Sequence, residues 1–159
     1  MNWYKLAELA LNITPDQFQA MSYDEKKALA QNRSITQETQ LLFFTQEYDY
    51  KYKILWWLAG NPSISPQTQL LFFTQEYKGN LNALWALAHN RSISPQTKQL
   101  FFTQEYNGKE DILKLLLRNH NIFLKGLTPK EMREIAKTKE ARYIVYKKRL
   151  KTIRAMVLL

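Results

Sequence analysis

Cysteine is missing from all 159 residues. Its absence excludes a disulfide framework, a thiolate nucleophile and any Cys-ligated zinc site. Histidine is nearly missing, and the two present, His89 and His120, lack metal-ligand spacing such as His-Glu-x-x-His. Glycine is scarce and never forms a P-loop, a Gly-x-Gly-x-x-Gly turn or a Gly-x-Ser-x-Gly elbow. No catalytic constellation can be assembled from what remains, so the sequence predicts no enzyme, no cofactor and no metal. No uncharged apolar run approaches the ~20 residues of a membrane span. No apolar segment follows Met1-Asn2-Trp3-Tyr4-Lys5 as in a signal peptide. The expectation is a soluble cytoplasmic protein with neither a membrane nor a small-molecule substrate as partner. Acidic residues also run short, but only at one end. From Arg118 onward the only carboxylate side chains are Glu131, Glu134 and Glu140, set among many lysines and arginines, so this segment carries the whole net charge of +9. In the chain before it, acidic and basic residues balance.

What is abundant is repetition. Phe-Phe-Thr-Gln-Glu-Tyr occurs at Phe43–Tyr48, Phe72–Tyr77 and Phe101–Tyr106, which sets a 29-residue period. A fixed period of this length marks units that bury their apolar faces only against their neighbours. A second repeated segment runs Asn32-Arg33-Ser34-Ile35, Asn61-Pro62-Ser63-Ile64 and Asn90-Arg91-Ser92-Ile93, and fades at Asn119-His120-Asn121-Ile122. Leu29, Leu58, Leu87 and Leu116 keep the same phase, as do Leu55, Leu84 and Leu113.

Each unit reads as two short helices. Ser65 is an N-cap by residue type, with Pro66 at the first helical position, where it costs no hydrogen bond. The apolar residues Leu71, Phe72, Phe73 and Tyr77 follow. Gly79 and Gly108 fall where a left-handed residue would end the helix. Tyr50 stands at that position in the first unit, which predicts a different turn there. A second helix over 81–88 carries Leu84, Trp85, Leu87 and Ala88. The asparagines after it, Asn61 and Asn90, suit a left-handed backbone. They are expected to form a stacked ladder with Asn32 and Asn119, satisfying connector backbone groups. Thr14-Pro15-Asp16-Gln17, Ser22-Tyr23-Asp24-Glu25 and Thr128-Pro129-Lys130-Glu131 fit capping boxes and define degenerate terminal units. The predicted organisation is one all-α domain: capping helices over 1–31, three repeats over 32–118, then a connector and a basic helix over 119–159.

Leu58-Ala59-Gly60-Asn61-Pro62-Ser63-Ile64-Ser65-Pro66 resembles the leucine-rich repeat variant pattern, Leu-Ala-x-Asn-Pro-x-x-Pro. The resemblance covers residues 28 to 122. It implies a short right-handed α-solenoid akin to HEAT-type repeats. That family's usual period is shorter than the one here, and its Asp-x-x-Val-Arg segment is missing, so a full HEAT-like helix pair fits equally. Folds of this kind host many binding roles, so the resemblance implies no particular partner.

The C-terminal segment predicts a helix over 129–157, roughly 40 Å long. Met132, Ala136, Tyr143, Tyr146, Leu150, Ile153 and Val157 form one apolar stripe, read as packing against the last repeat. At 100° per residue, Lys130, Arg133, Lys137, Lys147, Lys148, Lys151 and Arg154 share one flank. Such a ridge can meet successive phosphates of DNA or RNA, and it can equally be the solvated face of a terminal helix. A coiled-coil seam and a membrane-surface helix fit less well, because the stripe is aromatic at its core positions and is needed for packing.

Two partner classes remain. The preferred one is nucleic acid, held by that basic helix. The alternative is a protein docked on Gln46, Glu47, Gln75, Glu76, Gln104 and Glu105, with the chain acting as adaptor or inhibitor. A cysteine-free chain of recently duplicated repeats suits a phage or bacterial accessory factor of this kind. Recent duplication alone also explains the invariant Thr-Gln-Glu. Trp56, Trp57 and Trp85 are expected in the core, and anchor a partner only if exposed.

Overall fold

A computed structural model describes residues 8–118, together with 128–130 and 133. Among these residues every regular element is a helix and there is no strand. Residues 8–11 are helical, and α1 (Pro15–Ala20), α2 (Tyr23–Ala30), α3 (Gln37–Thr45), α4 (Lys51–Gly60), α5 (Pro66–Leu71), α6 (Leu81–His89), α7 (Pro95–Thr103) and α8 (Lys109–Arg118) follow. The long helix expected over 129–157 lies outside the described residues, except for part of its first turn.

The helices begin where side chains can receive orphan backbone N–H groups. Thr14 and Ser22 form full capping boxes with Gln17 and Glu25. Thr36, Ser65 and Ser94 accept from the N–H groups of Thr39, Thr68 and Thr97, opening α3, α5 and α7. Pro66 and Pro95 occupy the first helical positions, as expected.

The elements sort into two rows. The odd-numbered helices α3, α5 and α7 pack on one another in sequence order, and so do the even-numbered α2, α4, α6 and α8. The core lies between the rows. Leu29, Leu58, Leu87 and Leu116 are buried in one layer, and Leu55, Leu84 and Leu113 in the next.

The first phenylalanine of each hexapeptide, Phe43, Phe72 and Phe101, is fully buried. The second reaches forward to the next unit. Phe44 meets Phe72 edge to face at 5.0 Å, and Phe73 meets Phe101 at 4.8 Å. Phe18 stands in for the missing preceding phenylalanine, 4.9 Å from Phe43, and so closes the amino-terminal end of the stack. The tyrosine hydroxyls do not reach a solvent edge. They donate to main-chain carbonyls: Tyr48 to Phe43, Tyr106 to Phe101, and Tyr77 back to Phe44 of the unit before. A buried hydroxyl must find an acceptor, and a frayed helix end supplies one.

Two turn expectations are corrected. Asn61 and Asn90 are extended, with φ of −70° for both, and not left-handed. The ladder bonds described below fix that geometry. Tyr50, expected to depart from the glycine turns, is itself left-handed at φ 59°, as Gly108 is at φ 69°. Gly79 is the odd one. There Asn80 caps α6 by accepting from the Ala83 N–H, so that helix starts one position later and needs no left-handed residue before it.

Candidate binding groove and the ladders beneath it

The connectors are joined by two rows of buried amides. Asn61 donates to the carbonyls of Ala30 at 2.7 Å and Asn32 at 2.8 Å, and accepts from the Ser63 N–H at 2.8 Å. Asn90 repeats this one unit later on Ala59, Asn61 and Ser92. Asn32 accepts from Ser34 at the start of the row, and Asn119 lies outside the described residues. The second row is not among the sequence expectations. Gln40, 1 % exposed, donates to the Ile35 and Ser63 carbonyls and accepts from the Ser65 N–H. Gln69 does the same with Ile64, Ser92 and Ser94. A signal for it exists: Gln40 and Gln69 share the phase of the repeat and fall on the apolar side of their helices.

Above these connectors the even-numbered helices present a surface of unlike chemistry. Trp56 and Trp85 are 42 % and 38 % exposed, against the expectation of core placement. The sequence carries a clue to this as well: Lys27, Trp56, Trp85 and Lys114 occupy one phase of the repeat. Lysine in a row favours a water-facing side without requiring it, since Lys98, in the phase of the buried Gln40 and Gln69, is itself buried.

A cavity of about 590 Å³ opens at this surface, lined by Trp56, Trp57, Trp85, Arg33, His89 and Gly60 among others. That volume falls within the ~300–1,000 Å³ typical of ligand sites. Its depth comes from the junction of the first and middle units. Gly60 stands where the neighbouring units carry Gln31 and His89, and Pro62 where they carry Arg33 and Arg91. A Cβ on Gly60 would meet nothing within 4 Å, so packing does not demand the glycine. The exposed aromatic surface continues along α2 and α4 through Tyr23 and Tyr52.

The groove is cationic. Arg33 lines the cavity and Lys53 a neighbouring pocket that shares Trp56 and Trp57 with it, and Lys27 lies 4.7 Å over the Trp57 ring beside them. Among the described residues no carboxylate lines the groove. His89 stacks on Trp85 at 5.0 Å, and its Nδ1–H donates to the Trp85 carbonyl at 2.8 Å. That bond leaves Nε2 directed away from the helix backbone. Among the described residues no group of acidic or histidine side chains could hold a metal. No helix there is long and apolar enough to cross a membrane.

The site residues predicted from sequence divide. Lys130 and Arg133 are exposed, whereas Lys137, Lys147, Lys148, Lys151 and Arg154 lie outside the described residues. On the alternative face, Gln75, Glu76, Gln104 and Glu105 are exposed and Gln46 is half-buried. Its glutamates are not a free acidic row. Glu47 pairs with Lys51 at 3.0 Å and Glu105 with Lys109 at 2.9 Å, while Glu76 stands 3.9 Å from Lys51. Gln46 accepts from Gln19. Lys51 is buried, and it also donates to the Phe44 carbonyl at 2.8 Å. Burial opposes its charge, but Tyr77 and Glu47 outweigh that and hold its pKa above the usual lysine value. Compared with family models, curated proteins and solved structures, the chain matches none of them.

Proposed function

We propose that this chain is a cytoplasmic, non-enzymatic α-solenoid that binds nucleic acid. Its units belong with leucine-rich repeat variant and HEAT-like repeats, and its partner is held electrostatically through phosphates. The observation that carries the reading is the groove of the even-numbered helices, where Lys27, Arg33 and Lys53 gather around exposed aromatics without a lining carboxylate among the described residues. Such a surface attracts any polyanion, and its aromatics add a feature that nucleic acid uses and most acidic peptides do not. The basic C-terminal segment supplies further charge of the same sign, with Lys147, Lys148, Lys151 and Arg154 as its phosphate contacts.

Titration of labelled DNA and RNA at several salt concentrations tests this. The slope of log K against log salt should be about −0.9 per phosphate neutralised on a duplex and about −0.7 on a single strand. Replacing the four tail residues by Gln should weaken binding to all sequences alike and leave the helical signal unchanged, since phosphate contacts do not read bases. Absence of binding at low salt would overturn the reading.

The second reading, an adaptor or inhibitor that docks a protein, draws on the exposure of Gln75, Glu76, Gln104 and Glu105 in one phase. It requires that changes there abolish the interaction while the basic tail affects only the association rate.

A further inference from the structure

We propose that the groove at Trp56, Trp85 and Arg33 is a stacking site for the unpaired bases of a single-stranded nucleic acid. This rests on the nucleic-acid reading above and narrows it to one substrate class.

Three observations converge. The first is the pair of solvent-facing indoles on adjacent helices at equivalent positions, Trp56 on α4 and Trp85 on α6, one full repeat apart. Part-exposed rings at the repeat period, Trp85 backed by His89 and Trp56 by Trp57 at 4.3 Å, provide successive platforms, and every base has a π-face to place on one. A duplex offers no such face along its length, because its bases are already stacked on each other. The second is charge. Arg33 lines the cavity and Lys53 the adjoining end of the surface, no carboxylate among the described residues lines either, and His89 is held against Trp85 with Nε2 left over. Cations beside stacking rings are the combination that tracks a sugar–phosphate backbone while the bases turn inward. Asp24 on α2 and Asp111 on α8 share the phase of Lys53 and Asn82, so the carboxylate-free part of this row is confined to α4 and α6. The third is space. Gly60 and Pro62 line the same cavity as the two indoles, and nothing in the fold occupies the room a Cβ at Gly60 would take.

The stacking is tolerant of sequence, since no row of buried donors and acceptors lines the cavity to read base edges. Asn61 and Asn90, its two lining asparagines, commit their side chains to the connector ladder, which leaves Gln31, Arg33 and His89 as the polar side chains at the cavity.

The test uses the full chain and three probes: a labelled twelve-nucleotide oligo(dT), the corresponding oligo(rU), and a duplex of equal length. The expected result is tighter binding of both single strands than of the duplex at moderate salt, with quenching of tryptophan fluorescence. Trp56→Ala combined with Trp85→Ala should weaken strand binding by about tenfold or more and abolish most of the quenching, while the salt slope stays unchanged. Trp56→Phe combined with Trp85→Phe should recover part of the affinity. Gly60→Gln leaves both indoles in place and fills the cavity with the residue found at this position one unit earlier, and it should weaken strand binding to a similar extent.

Wild-type affinity in the double alanine variant, or duplex bound as tightly as strand, would overturn the stacking site and leave the broader nucleic-acid reading intact. Failure of all three probes at low salt would remove both. A proline-rich peptide that bound the wild type, lost binding on Gly60→Gln and displaced the oligonucleotide would replace the strand with a protein ligand.

Discussion

Asn61 uses every polar atom of its side chain in the connector ladder: its amide N–H groups go to carbonyls of the preceding unit, and its oxygen takes an N–H of its own connector. Asn61→Ala therefore orphans the buried Ala30 carbonyl, while the Asn32 carbonyl keeps the Ile35 N–H, and should cost about 1–3 kcal/mol in urea unfolding. Asn61→Asp should cost more than Ala, because a carboxylate oxygen would then face two carbonyl oxygens with no hydrogen between them. This ladder was legible, since an Asn at a fixed phase beside Ser and Ile has few packing roles other than satisfying a turn. The left-handed backbone of Tyr50 was not legible, because the residue type pointed away from it. That conformation costs a residue with a Cβ roughly 1–2 kcal/mol. Tyr50 is 61 % exposed and gains only ring contacts with Tyr23 and Lys53 in return. Tyr50→Gly should thus stabilise the protein by up to about 1 kcal/mol, whereas Gly108→Ala at the equivalent position should cost about 1–2 kcal/mol. At Gly108 the new Cβ would also press on the Leu81 side chain, but that tip can rotate, so the backbone angle sets the cost. Denaturant midpoints of the two variants should move in opposite directions.

The three copies of one hexapeptide do not fold identically. In the first and third units the following lysine, Lys51 or Lys109, pairs with the glutamate four residues before it. In the middle unit Asn80 replaces that lysine, α5 is shorter, and the chain turns through Thr74 to Tyr77. Tyr77 then donates across the unit boundary to the Phe44 carbonyl at 2.9 Å, beside Lys51. Identical residues could not announce this difference, because its cause is one cap residue downstream. Tyr77→Phe should cost about 0.5–1.5 kcal/mol by removing that bond. It should also change the alkaline behaviour. Burial raises the pKa of Tyr77 and of Tyr48 above the ordinary 10.0, and Lys51 is raised above 10.5 by its partners despite its burial. Each group holds its proton more tightly when folded, so its contribution is whole below the ordinary value and is lost as the pH rises past it. Lys26 opposes them. Burial lowers its pKa, so folding is relieved of that burden as the pH climbs towards 10.5. Three groups against one predict stability that falls above about pH 10, with a shallower fall in Tyr77→Phe. Thermal melts across alkaline buffers measure both slopes.

Each unit touches mainly the one before and the one after, so the fold should survive removal of one whole period. Excising residues 61–89 joins Gly60 to Asn90, and Asn90 then meets the Ala30 and Asn32 carbonyls in place of Asn61. Ser92 and Ser94 likewise replace Ser63 and Ser65 over Gln40. The shortened chain should keep its helical signal per residue and melt cooperatively at a lower temperature, while a deletion of half a period should abolish folding. It should also lose the groove, which needs Gly60, Pro62 and Trp85 together. The period and the two-helix unit are legible in the sequence because burial repeats with it. The groove is not, because it arises where the junction of the first and middle units, Gly60 to Pro62, departs from the pattern. The amide rows have a mechanical corollary. They lie along the connector edge, where the joints at Asn61 and Asn90 each carry four amide hydrogen bonds between units, while the hexapeptide edge is held mainly by ring contacts and by the one Tyr77–Phe44 bond. Such an array is an unevenly clamped spring: it resists opening along the pinned edge and yields along the other, so any breathing of the molecule is a bend about the line of asparagines.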